Sequence, residues 1–92
     1  MIEREVVIKN KYGLHARPSA AFVQAASQFA ADISLINEDK IANGKSIISL
    51  MVLAAECGAK ITLRANGSDE TEAMDALVKL INNKFNIKEE DL

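Results

Sequence analysis

The sequence is poor in the residues that build disulfides and metal sites. Its 92 residues include one cysteine and one histidine. A single thiol forms no disulfide within a chain, and one His with one Cys falls short of the usual ligand count for zinc. We therefore expect no metal and no cofactor. A lone cysteine fits a reducing compartment, and we expect Cys57 to be a small buried hydrophobe.

Tryptophan is absent, and neither charge nor aromatic content favours nucleic-acid binding. The net charge is −2, with 11 Lys and Arg against 13 Asp and Glu, and the basic residues form no tail or dense stripe. The few aromatic residues are scattered and do not pair on one strand as a base-stacking platform requires. They are Tyr12, Phe22, Phe29 and Phe85. We expect no nucleic-acid partner.

Long hydrophobic runs are also lacking. The longest uncharged apolar stretch, Ser46 to Ala55, has about ten residues, whereas a membrane helix needs about 20. The N-terminal Ile2-Glu3-Arg4-Glu5 does not resemble a signal peptide. We expect a cytoplasmic monomer without membrane insertion, folded as one domain over residues 1–92, with the tail after about residue 86 frayed.

Hydrophobic periodicity predicts alternating strands and helices. Ser46 is a plausible N-cap for a short helix over 47–53, although its β-branched residues leave a strand as the alternative. Asp69-x-x-Glu72 resembles a capping box. The predicted strands cover 2–9, 32–36, 40–42 and 60–65, and the predicted helices cover 16–30, 47–53 and the segment from the capping box to about Lys84.

The order β-α-β-β-α-β-α restricts the topology. A right-handed crossover through the first helix sets the first two strands parallel, with space between them for the fourth strand. This arrangement predicts an α+β open-faced sandwich, in which a four-stranded, mostly antiparallel sheet carries three helices on one face.

The segment Gly13-Leu14-His15-Ala16-Arg17-Pro18 lies where a loop meets a predicted helix start. Proline belongs in a first helical turn, and the residue before it resists the helical region, so the cap is His15, Ala16 or Arg17. Each choice places His15 near the helix start. Backbone amides there, of Ala16 and Arg17, and the helix dipole favour a bound phosphate.

His15 and Arg17 together suit phosphoryl transfer. A neutral imidazole has a lone pair that can attack phosphorus, and the Arg17 guanidinium can neutralise the phosphoryl oxygens. No catalytic triad can be assembled around this histidine from the sequence. His15 and Arg17 therefore indicate a protein that holds a phosphoryl group and passes it on, rather than a free-standing enzyme.

The motif at 13–18, followed by Gly44-Lys45-Ser46-Ile47, makes nearly the whole chain resemble the HPr family of histidine-containing phosphocarriers. The resemblance implies that His15 accepts a phosphoryl group on Nδ1 from enzyme I, which uses phosphoenolpyruvate. It also implies donation to enzyme IIA domains of sugar permeases, with Arg17 as the phosphoryl stabiliser.

The resemblance further implies that Ser46 is phosphorylated by an HPr kinase/phosphorylase. Helix capping alone explains a serine at this position equally well. We expect Ile47, Ile48 and Met51 to form an exposed partner-docking surface, with Leu50 and Leu53 inside. The alternative is that these apolar residues simply belong to the core.

Two other functions stay open at this point. The carrier of the nitrogen-related regulatory branch would use the same His15 chemistry but phosphorylate a regulatory IIA protein. A split β-α-β binding module would bind a small ligand or RNA without covalent chemistry.

Overall fold

The chain forms four strands and three helices in the predicted order, β-α-β-β-α-β-α. The computed structural model describes residues 1–88, and most of the tail predicted to fray lies outside the described residues. The strands are β1 Ile2–Val7, β2 Asp32–Asn37, β3 Lys40–Asn43 and β4 Lys60–Asn66; the helices are α1 Ala16–Ala26, α2 Ile47–Leu53 and α3 Glu70–Asn82, followed by a single 3₁₀ turn, Lys84–Asn86.

The sheet has the predicted topology. Its strand order is β1-β4-β2-β3, and every neighbouring pair is antiparallel. Because β4 lies between β1 and β2, those two strands run parallel to each other, as the crossover through α1 requires. The α+β open-faced sandwich is therefore confirmed.

The core lies between the inner face of the sheet and the helices. Alternate residues of β4, Ile61, Leu63 and Ala65, are fully buried, whereas Lys60 and Asn66 are exposed. The helices contribute the large buried side chains Phe22, Leu50, Leu53, Met74, Leu77 and Ile81. The segment 47–53 is a helix and not a strand, and the predicted burial of Leu50 and Leu53 is confirmed. Within residues 1–88, no helix is both long enough and apolar enough to cross a membrane.

Two helices are shorter than predicted. Helix α1 ends at Ala26 rather than Ala30, because Gln28 and Phe29 donate to the carbonyls three residues before them and tighten the chain. Helix α3 ends at Asn82 rather than Lys84, because residues 84–86 all have positive φ, and this left-handed backbone conformation cannot continue a right-handed helix.

Asp69 does not form the predicted capping box. Its carboxylate oxygens instead accept the backbone amides of Ala30 and Ala31, both at 2.8 Å. These bonds fasten the start of α3 to the connection between α1 and β2. The Ala30 amide, assisted by that of Ala31, holds the pKa of the Asp69 carboxyl below its ordinary value of 3.8, although desolvation opposes the shift.

We expect Asp69→Asn to lower the free energy of unfolding at pH 7, since it weakens two charge-assisted hydrogen bonds. Because the folded-state pKa of Asp69 is lowered, its contribution is complete above the unfolded value of 3.8 and is lost as the pH falls below it. Urea unfolding of both proteins between pH 7 and pH 2 checks this. A stability difference that stays constant over the whole range would contradict it.

Candidate functional site

His15 is the N-cap of α1. Its backbone is extended, with φ −92° and ψ −163°, and its carbonyl accepts the amide of Ser19 at 3.0 Å. Ala16 and Arg17 therefore lie within the first turn, where backbone amides precede the first intrahelical hydrogen bond. Of the three candidate caps, the structure selects His15, and the site opens on the positive end of the helix dipole.

The loop before His15 is pinned to the segment that follows α2. The Leu14 amide donates to the Ala55 carbonyl at 2.9 Å, and the Gly13 amide closes a turn on the Asn10 carbonyl at 3.0 Å. Gly13 has φ +71°, and a Cβ built on it would lie 2.2 Å from the Ala55 oxygen. Only glycine allows the backbone to approach this closely, so Gly13 determines where the loop before His15 contacts the chain after α2.

The imidazole lies in a shallow surface depression of about 230 Å³. The side chain is half-buried, and Nε2 is shielded from solvent and has no hydrogen-bond partner among residues 1–88. The Tyr12 ring packs edge-on against it, with centroids 6.1 Å apart and planes at 68°. The Lys11 Nζ lies 5.4 Å from the centroid of that tyrosine ring. The depression is lined by Tyr12, Leu14, His15, Met51, Ala54, Ala55 and Glu56.

Arg17 and Ser46 lie at the starts of neighbouring helices. Arg17 is exposed in the first turn of α1. Ser46 caps α2, and its Oγ accepts the Ser49 amide at 3.2 Å, which confirms the predicted N-cap. The two helices pack on each other. The start of α1 meets the end of α2 through the Leu14–Ala55 bond, and Lys45 beside Ser46 donates to the Phe29 carbonyl after α1, so Arg17 and Ser46 lie at opposite ends of the helix pair.

The expected docking residues are exposed, and one of them, Met51, adjoins the histidine. Ile47, Ile48 and Met51 are all solvent-exposed on α2, and Met51 also lines the depression around His15. We call these three residues the α2 surface. Contiguous exposed apolar side chains are typical of surfaces that bind other molecules, which is consistent with the expected docking role.

Some features of the site were not predicted from the sequence. Tyr12 is exposed on a loop, where hydrophobic periodicity carries no information. Ala54 ends α2 in the left-handed region with φ +54°, a position that usually holds glycine. Asn10 is fully buried although it is polar and belongs to the loop.

The expectation that Cys57 is buried is wrong. The residue is exposed in the turn after α2, and the nearest acceptor of its thiol is the Lys9 carbonyl at 3.8 Å. The chain turns at Gly58, which has φ +89°, and this tight turn projects the preceding side chain outward. Among residues 1–88, no three His, Cys, Asp or Glu side chains come together as metal ligands.

Comparisons with known proteins agree with this geometry. A family model described as "PTS HPr component phosphorylation site" matches residues 2–83. Phosphocarrier protein HPr of Neisseria meningitidis serogroup A is 49% identical over 85 residues, which cover 92% of this chain and 96% of that protein. HPr-like protein Crh of Halalkalibacterium halodurans is 48% identical over 81 residues, covering 88% and 96%.

Solved structures give the same result. The crystal structure of HPr-C-His from Thermoanaerobacter tengcongensis superposes with a TM-score of 0.90 at 48% identity, covering 96% of this chain and 99% of that one. An HPr dimer from the same organism superposes with a TM-score of 0.74 at 49% identity, covering 92% and 98%. With the family model and the curated relatives, these matches show that the chain belongs to the HPr family of phosphocarriers of the phosphotransferase system, which carry a phosphoryl group and are not free-standing catalysts.

Proposed function

We propose that His15 accepts a phosphoryl group from phosphorylated enzyme I and donates it to enzyme IIA domains of sugar permeases. The observation that carries this proposal is the position of His15 as the N-cap of α1. Backbone amides of a first helical turn and the positive end of the helix dipole stabilise a phosphoryl dianion at that position. The imidazole supplies the nucleophile, and the helix start supplies the anion site.

The ring nitrogen that reacts is Nδ1. Nε2 is shielded from solvent and lacks a hydrogen-bond partner in the part of the chain that the structure describes, so an approaching phosphorus atom has no access to it. In the proposed step, the Nδ1 lone pair forms the new N–P bond while the bond between phosphorus and its carrier atom on enzyme I breaks, and that atom leaves with the bonding electron pair. Arg17, exposed in the first turn of α1, offsets the charge on the transferring oxygens, and the Ala16 and Arg17 backbone supports them.

The open shape of the site suits transfer between proteins. The depression around His15 is shallow and lies at the surface, so the partner has to supply the remaining walls. Two proteins that meet there exclude water from the phosphoryl group only while they are in contact. Such a site passes a phosphoryl group on and offers little room to bind a small substrate by itself.

The α2 surface is the proposed docking site for both partners. It shares Met51 with the depression around His15, so a protein docked there also reaches the imidazole. Ile48 is 75% exposed and can add apolar contact without disturbing the core. Burial of these side chains supplies the affinity, and the histidine supplies the chemistry.

Ser46 is a proposed regulatory site for an HPr kinase/phosphorylase. A phosphate there still offers acceptor oxygens to the first turn of α2, so the helix survives the modification. It adds a charge of about −1.5 to −2 directly before Ile47. Enzyme I would have to desolvate that charge on docking, which weakens the encounter.

We further propose that the carrier acts as a single-domain monomer in the cytoplasm. β1 pairs with β4 of the same chain from Ile2 to Val7, so the four-stranded sheet is complete within one copy. The chain length and the exposed free thiol fit the same proposal.

Incubation with enzyme I and phosphoenolpyruvate should phosphorylate the wild-type protein and not His15→Ala. The phosphate should be acid-labile and alkali-stable, because it is bound to nitrogen. Mass spectrometry after acid and alkali treatment checks both points. Equal labelling of His15→Ala would refute the assignment of His15, provided that an HPr of known activity is labelled in parallel.

Ile48→Gln should raise the KM of enzyme I for this carrier about tenfold, because it removes apolar contact area from the α2 surface. Glutamine is a good helix former, so α2 should remain intact. Val7→Gln is the matched control, since Val7 is also an exposed β-branched residue but lies on β1, away from α2. Steady-state kinetics check the pair, and equal KM values for the two variants would contradict the proposed docking site.

Ser46→Asp should raise the same KM roughly threefold to tenfold relative to Ser46→Asn. Aspartate and asparagine have nearly the same size, and both cap helices well, so the comparison isolates the charge. Ser46→Ala should leave the KM unchanged while lowering the free energy of unfolding by about 1 kcal/mol through loss of the cap. Regulation by charge at this site is ruled out if the aspartate and asparagine variants dock equally well.

A further inference from the structure

Asn10 is a fully buried polar residue in the loop that leads to His15. Its carbonyl accepts the Gly13 amide at 3.0 Å, which closes the turn directly before the acceptor histidine. Its side-chain Nδ2 donates to the backbone carbonyl of Lys84 at 3.2 Å. One residue thus joins the loop before His15 to a segment 74 residues further along the chain.

The segment that receives this hydrogen bond has an unusual backbone. Lys84, Phe85 and Asn86 have φ values of 52°, 59° and 59°. Three successive left-handed residues with side chains are unfavourable, and such a conformation persists only where its surroundings enforce it. Phe85, 1% exposed, anchors the turn in the core and sets the position of the neighbouring Lys84 carbonyl.

We propose that Asn10 is a positioning residue for phosphoryl transfer, and that the turn Lys84–Asn86 is the support against which it holds the loop. The inference rests on the proposed role of His15. The chain of contacts runs from the anchored turn to Asn10, then to Gly13 and Leu14, and then to the start of α1. Asn10 is buried, so it touches neither the phosphoryl group nor the partner.

The hydrogen bonds around Asn10 indicate that it contributes more to positioning than to stability. The Lys84 carbonyl also accepts the Ile87 amide at 3.2 Å, so it keeps a partner when the asparagine is replaced. The Asn10 Oδ1 is buried and has no hydrogen-bond partner within the described residues. Replacement with an apolar residue of similar volume removes that uncompensated acceptor, which offsets the loss of the Nδ2 bond.

The test is Asn10→Leu, with Asp69→Asn as a control that weakens the fold at a remote hydrogen-bonded site. For phosphoryl acceptance from enzyme I, we expect kcat of Asn10→Leu to fall about fivefold, the effect of losing one neutral hydrogen bond. The KM should not change, because the α2 surface is untouched. Asp69→Asn should leave both constants as in the wild type.

Amide hydrogen exchange separates positioning from general destabilisation. In Asn10→Leu, we expect exchange at Gly13 and Leu14 to accelerate about tenfold relative to the core amides of β4, because local loosening affects only the loop. Global destabilisation would accelerate loop and core amides together. Asn10→Ala is the second variant and should give the same local pattern if leucine does not fit the site.

The two proposals fail in different ways. If enzyme I labels neither the wild type nor His15→Ala, the proposed function is contradicted, and the exchange measurement still tests the support of the loop. If the wild type is labelled, and both Asn10 variants keep the wild-type kcat and loop exchange rates, the positioning role of Asn10 is overturned.

Discussion

The hydrogen bond from the Leu14 amide to the Ala55 carbonyl, 2.9 Å long, holds the site together. It joins the loop before α1 to the chain that leaves α2, and it forms only because Gly13 has no Cβ to strike the same oxygen. This contact fixes the histidine beside the end of α2, next to the exposed Met51. With it, a protein that docks on α2 meets the imidazole.

The histidine itself performs two tasks that depend on each other. As N-cap it opens α1, and its own carbonyl accepts the first intrahelical hydrogen bond, from Ser19. The same placement exposes the ring to the positive end of the helix dipole. Tyr12 packs edge-on against the ring, and burial of Nε2 supports the proposal that Nδ1 is the nitrogen that reacts. The proposed nucleophile and its proposed anion site are therefore built by one local fold.

The sequence predicts well whatever depends on hydrophobic periodicity or local capping chemistry. The strand order follows from the right-handed crossover, and Ser46 caps α2 as its residue type indicates. Two of the predictions that failed concern Asp69 and Cys57. Asp69 has the local pattern of a cap, but its carboxylate bonds to amides 38 and 39 residues away. Cys57 looks like a small core residue by composition, and a tight turn at Gly58 exposes it. The left-handed turn at residues 84–86 shows the same limit, since its conformation depends on the burial of Phe85 and not on local propensity.

Nitrogen NMR of the phosphorylated, ¹⁵N-labelled protein identifies which ring nitrogen of His15 carries the phosphoryl group. A one-bond ³¹P–¹⁵N coupling at Nδ1 is the predicted result. A coupling at Nε2 would contradict the proposed reaction at Nδ1, because Nε2 is shielded from solvent in the fold.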